Sequence, residues 1–296
     1  MSLNIEMVPV PAGSFQRDEG EENISVITKP YSLSKYPITR QQFLDIMGAD
    51  PSDTDCSSGM NDPVQRVSWY HAIAFCNNLS LLEGLTPAYT VNGVSNRAVL
   101  DYSSIPIETV GTNWSTITEY WDAAKCNWKA SKASGYRLPT EMEWMWAAMG
   151  ADQDAREGAM QNGINRTGYT KGYAGSTERD YEQENLGDYA WYRNNSSSKT
   201  HPVGEKLPNE LGLHDMSGNV GEWCWDWYQR YPSGSPSGYP LGTKTDHKGS
   251  RNIFVRVLRG SSWNFNASNC TVAYRDYDNP YVQSTSVGFR ILRPVL

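Results

Sequence analysis

Five cysteines (Cys56, Cys76, Cys126, Cys224 and Cys270) and four histidines (His71, His201, His214 and His247) offer the most reactive chemistry in this 296-residue chain. A thiolate zinc site needs closely paired cysteines, and no Cys-x-x-Cys occurs; the odd count leaves at least one thiol unpaired. The histidines lack ligand spacing and read as structural or exposed. The remaining chemistry is recognition. Residues 260–290 read GSSWNFNASNCTVAYRDYDNPYVQSTSVGFR, in which Asn, Ser, Thr, Tyr and Asp fill the space between Val257, Leu258 and Trp263 at one end and Val287, Phe289 and Ile291 at the other. Tyrosine supplies large, fairly rigid contact area at low entropic cost, and small polar residues adapt their hydrogen bonds. Positions 264–286 contain no Lys, Glu, Met or Trp, although the rest of the chain uses all four.

Composition narrows the partners. The net charge of −7 and the lack of any basic run argue against nucleic acid, because phosphate binding requires clustered Lys and Arg. No apolar run approaches about eighteen residues, so no membrane span is expected. The opening text, MSLNIEMVPVPAGSF, enters strand-like sequence at once and holds no secretory signal. Eleven Trp and eighteen Tyr suit half-buried frameworks and binding surfaces.

The elements that must position the 260–290 stretch can be read in outline. MVPVPAGSFQRD predicts an opening strand that turns at Ala12–Gly13. Thr39 with Gln42, and Thr140 with Glu143, form capping boxes that start helices, which Gly48 and Gly150 stop. Between them, VSWYHAIAFCNNLSLLEG carries Ala72, Ile73, Cys76 and Leu79 at helical spacing and ends at Gly84. Residues 92–134 and 151–190 read as loop-dominated connections, and 231–252 as an exposed loop too polar to pack. EWCWDWY (222–228) reads as packing beneath the terminal stretch, with Trp225 or Trp227 in reach of a ligand. Strands are expected at 253–259 and 287–292. No linker separates two cores, so residues 1–296 read as a single α+β domain.

MVPVPAGSF, YPITRQQF, DPVQRVSWYHAIAFCNNLS, GLTPAYT, GYRLPTEMEWMWAA, YAWYRNNS, THPVGEKLPNELGLHDMSGNVGEW and VLRGSSWNFN…VGFRI occur in one fixed order. Together they resemble the formylglycine-generating enzyme, or sulfatase-modifying factor, family over nearly the whole chain. The resemblance implies that family's C-type lectin fold: a small twisted antiparallel sheet, flanking helices and long irregular loops. The family's oxidases use two cysteines that bind copper, in the pattern R-G-G-S-F-x-C-x-x-x-x-C. Here the text is RGSSWNFNASNC, so Cys270 holds the second position and Phe265 the first. A phenyl ring offers neither a nucleophile nor a soft ligand, so oxidase activity is not expected. A divergent cysteine oxidase working through Cys270 is the alternative.

The terminal text is similar, more narrowly, to the variable proteins of diversity-generating retroelements, in which adenine-directed mutation diversifies Asn codons within a fixed frame. That resemblance implies a variable ligand-binding segment over about 257–292. Its diversified positions would be Asn264, Phe265, Asn266, Asn269, Thr271, Tyr274, Asp276, Tyr277, Asp278, Tyr281, Val282, Ser284, Thr285 and Ser286. Such positions are expected to face solvent, since a misplaced methylene in a packed core costs about 1–3 kcal/mol. The ligand expected is a macromolecule outside the cell, most simply a protein. The resemblance also implies a lipoprotein at the cell surface or outer membrane, the attachment signal lying outside this sequence. The family's calcium positions correspond to Asp215, Gly218, Val220 and Glu222, a structural ion that binding would not require. The sugar-binding motifs of lectins proper (EPN or QPD with WND) do not occur, so the fold implies no sugar. Sequence alone leaves the oligomeric state open.

Overall fold

Thr39, Ser68 and Thr140 each start a helix in the same way: the hydroxyl accepts the amide N–H three residues on, and that residue's side chain accepts the cap's own N–H. These are capping boxes, which satisfy two otherwise orphaned donors at once. The helices span Arg40–Met47, Trp69–Leu82 and Glu141–Ala148, and a fourth, of one turn, spans Leu186–Tyr189. Gly48 closes the first helix in the left-handed conformation, at φ +75°. The Ser68 box uses His71, whose Nδ1 lies 3.1 Å from the Ser68 amide.

In the computed structural model, residues 5–91, 102, 105, 126–128, 133–177, 184–229, 239–249 and 255–295 are described. Within them the strands form four small sheets. Tyr31–Ser34 pairs antiparallel with both Met7–Val10 and Leu292–Pro294, tying the two ends of the chain together. Gly13–Gln16 pairs with Ile24–Ile27 in a second sheet. The opening text therefore makes two strands in different sheets, not one. Tyr89–Val91 pairs with Cys126–Trp128.

The remaining sheet carries the terminal stretch. Arg256–Arg259 lies between Gly221–Trp227 and Asp276–Asp278, antiparallel to both, and Val287–Gly288 pairs parallel to Gly221–Glu222 on the far side. The chain thus leaves an inner strand at Arg259, returns as one edge at Asp276, and crosses to the opposite edge at Val287. Trp223, Val257, Leu258, Val287, Phe289 and Ile291 are buried and fix the frame by apolar burial.

The 231–252 region differs from expectation in its described part. Tyr239 is buried, its hydroxyl accepting from Arg259 at 2.9 Å, and Lys244–Thr245 adds a parallel strand to Ile24–Ile27. A single aromatic anchor can hold a polar loop against the core when a buried cation satisfies its hydroxyl.

A candidate ligand site in the terminal segment

Gly260 and Ser261 turn the chain away from the sheet, both in the left-handed region (φ +85° and +64°). From there the segment is held mainly through its own main chain. Trp263 Nε1 donates to the Thr285 carbonyl at 3.0 Å. Arg193 donates from its main chain to the Phe265 carbonyl at 2.9 Å and from its side chain to that of Asn264 at 2.9 Å. Ser217 Oγ donates to the Cys270 carbonyl at 2.9 Å, and Arg259 Nη2 to that of Val272 at 2.6 Å. The Trp69, Arg66 and Gly221 amides take the Pro280, Ser284 and Ser286 carbonyls at 3.1, 2.9 and 2.8 Å. A carbonyl is the same in every residue type, so these bonds fix the backbone whatever side chains it bears.

Three separated pieces of the segment converge on a cavity of about 230 Å³. Its lining from these pieces is Asn264 and Phe265, then Asp276 and Asp278, then Ser284 and Ser286. Gly221, Leu258, Arg259 and Val287 from the sheet, with Ser261 and Ser262, complete it. Asp276 and Asp278 stand two residues apart on one strand, hence on one face. Desolvation raises the Asp276 carboxyl above the ordinary range, opposed only by the Tyr277 amide. Tyr274 is raised as well, by burial and then by Asp276.

Elsewhere in the segment, Asn266 and Tyr277 are exposed, and the Tyr277 ring lies 4.3 Å from that of Tyr228. Asn269, Thr271, Tyr274, Tyr281, Val282 and Thr285 are half-buried. Phe265 and Tyr274 lie 6.5 Å apart, and Tyr281 rests on Tyr70 at 4.8 Å. Six of the fourteen positions thus meet at the cavity, and most of the fourteen are less exposed than expected. Ser286 is buried, because its backbone lies against the Gly221 strand and its Oγ meets that of Ser284 at 2.8 Å. Trp225 and Trp227 are not among the cavity residues; Arg256 stacks over Trp227 at 3.5 Å and over Trp69 at 3.8 Å.

Cys270, within the segment, is buried with Tyr173, Leu186 and Ala190. Burial pushes its thiol up to about 12. With Phe265 in the other position, this pair does not fit copper, and no oxidative step is derived from it. Cys56, Cys76, Cys224 and Cys270 are free thiols, and Cys126 has only its backbone among the described residues.

The calcium positions are differently engaged. Glu222 takes a two-bond fork from Arg290, Nε to Oε2 at 2.6 Å and Nη2 to Oε1 at 2.7 Å, and Trp144 Nε1 adds 2.6 Å to Oε2. Asp215 accepts the Gly204 amide at 2.8 Å and Asn219 at 3.3 Å. Gly218 is in the left-handed region at φ +78°, and Val220 is buried. Arg290 already supplies the positive charge at Glu222, so this donor set does not fit a divalent cation beside it. Among the described residues no group of three His, Cys, Asp or Glu could hold a metal. None of their helices is long and apolar enough to cross a membrane.

Residues 2–295 match the family model described as the sulfatase-modifying factor enzyme 1-like domain. The chain is similar to the chaperone protein LppX of Paenibacillus barcinonensis, at 29% identity over 99% of this chain and 90% of that protein. It is also similar to the formylglycine-generating enzyme of Thermomonospora curvata, at 25% identity over 96% and 92%. Among solved structures, the Treponema denticola variable protein 1 superposes with a TM-score of 0.78 at 32% identity, covering 99% of this chain and 96% of that one.

Proposed function

The chain belongs to the sulfatase-modifying factor enzyme 1-like family, and we propose that within it this protein is a ligand-binding member, not an oxidase. Residues 264–286 form a sequence-diversified binding site on a fixed scaffold, displayed at the cell surface as a lipoprotein, and its ligand is a protein outside the cell. The observation that carries this reading is the main-chain tethering of the segment: Trp263, Arg193, Ser217 and Arg259 hold carbonyls and leave side-chain identity free. Similarity to a protein titled a variable protein supports it. The buried, weakly acidic Cys270 and the phenyl ring at Phe265 speak against the cysteine oxidase alternative.

Sequencing this locus in sister isolates tests the reading. Differences should concentrate at the cavity and at other positions of the segment, Asn264, Phe265, Thr271, Tyr274, Asp276 and Tyr277 among them, while Trp263, Cys270, Val272, Arg275 and Pro280 stay fixed. Uniform residues at Thr271, Tyr274 and Tyr277, with no near-copy of the segment downstream, would overturn it.

A further inference from the structure

We infer that in this copy the cavity receives a protonated basic side chain, a lysine ammonium or an arginine guanidinium, presented by a protein ligand. This rests on the reading of the segment as a binding site and names what that site takes.

Charge is the first reason. Asp276 and Asp278 both line the cavity from one face of their strand. Asp276 has no ion-pair partner among the described residues; its Oδ1 accepts only the Tyr277 amide, at 2.8 Å. Asp278 Oδ1 accepts the Asn279 amide at 2.8 Å. The terminal nitrogens of the cation in the floor are directed elsewhere: Arg259 donates through them to Tyr239 at 2.9 Å and to the Val272 and Ala273 carbonyls at 2.6 and 3.3 Å, and lies 3.4 Å from Glu141. A carboxylate desolvated without a counter-ion favours a ligand that brings one.

Shape and lining agree. At about 230 Å³ the cavity is smaller than the ~300–1,000 Å³ of pockets that enclose whole small molecules, and suits one inserted side chain. Phe265 supplies an aromatic wall for a cation, and the Asn264 amide and the Ser284 hydroxyl supply further acceptors. The segment that lines the cavity also carries exposed Asn266 and Tyr277, residue types that supply contact area in a protein interface. A free amine would leave them without contacts.

A random peptide library displayed on phage, selected on the whole protein, tests the assignment. Selected peptides should be enriched in Lys or Arg. Replacing that residue by norleucine, or making Asp276→Asn in the protein, should each weaken binding about tenfold or more. Binding should also weaken as salt rises. Ser284→Trp, which fills the cavity, should abolish it. Peptides that lose binding to Ser284→Trp but carry no basic residue, or ignore Asp276→Asn, overturn the assignment while upholding the segment as a binding site. Peptides indifferent to both variants, or none selected, overturn both readings.

Discussion

Arg275 and Glu141 meet as a two-bond fork, Nε to Oε1 at 2.6 Å and Nη2 to Oε2 at 2.8 Å, with both side chains more than nine-tenths buried. Arg275 lies inside the terminal segment, and Glu141 opens the Glu141–Ala148 helix. The guanidinium is also flanked by Tyr239 at 4.2 Å and Tyr228 at 4.7 Å. One framework pin thus stands immediately beside Asp276, a position proposed to vary. Arg275→Ala leaves Glu141 buried against Arg259 alone and should cost about 3–5 kcal/mol in urea unfolding. Asp276→Asn should cost under about 1 kcal/mol. Equal effects would show that pinned and variable positions are not distinct.

His71 sets an acid limit on stability. Burial lowers its imidazole from 6.5 to about 3, and among the described residues its Nε2 has no hydrogen-bond partner. The unfolded chain therefore binds a proton below pH 6.5 that the folded chain refuses, so stability falls as pH drops from 6.5 towards 3. The contribution is on the order of 4 kcal/mol. His71→Gln keeps an acceptor for the Ser68 cap and should flatten the profile between pH 6.5 and 4 in unfolding titrations.

Asp226 acts in the opposite direction. Burial, and then the Glu141 carboxylate, raise its carboxyl well above the usual range. Its Oδ2 accepts the Glu141 amide at 2.8 Å, while Oδ1 has no partner among the described residues. A raised folded value means that its stabilisation is full below the unfolded value and is lost as pH rises through the folded one. Asp226→Asn preserves the acceptor and should stabilise the protein by about 1–2 kcal/mol at pH 8, with the gain vanishing near pH 4. A thermal-melt series across that range measures it.

Glu222 carries a prediction about calcium. Because Arg290 already occupies both its oxygens, millimolar calcium or a chelator should shift the melting temperature by less than about 1 °C, less than a stability change of 1 kcal/mol produces in a domain of this size. A rise of several degrees with calcium would show that the ion displaces the guanidinium.

Local signals were legible and non-local ones were not. The Thr39–Gln42 and Thr140–Glu143 boxes and the Gly48 stop are short-range chemistry, and each stands where the sequence placed it. The Ser68–His71 box escaped notice because histidine is an unusual third-position acceptor. Tyr239 and the Lys244–Thr245 strand sat in text whose composition speaks for solvent, and partners distant in sequence, Arg259 and Arg275 at Tyr239 and the Ile24–Ile27 strand at Lys244–Thr245, draw them in. The same holds for the site. Its segment could be read from residue types, but the meeting of Phe265, Asp276 and Ser284 around one cavity depends on the chain crossing from one sheet edge to the other. The burial of Ser286 follows from its neighbour in that sheet, which no local pattern announces.

The central claim is that backbone tethers hold the segment while most of its side chains are interchangeable. A saturation substitution scan of residues 260–290, read out as protease resistance of the displayed protein, tests it directly. The account predicts that Asn264, Phe265, Asn266, Thr271, Tyr274, Asp276 and Tyr277 accept most residue types, that Ser286 accepts only small ones, and that Trp263, Cys270, Val272, Arg275 and Pro280 accept few. Tolerance spread evenly along the stretch, or concentrated at the pinned positions, would contradict it.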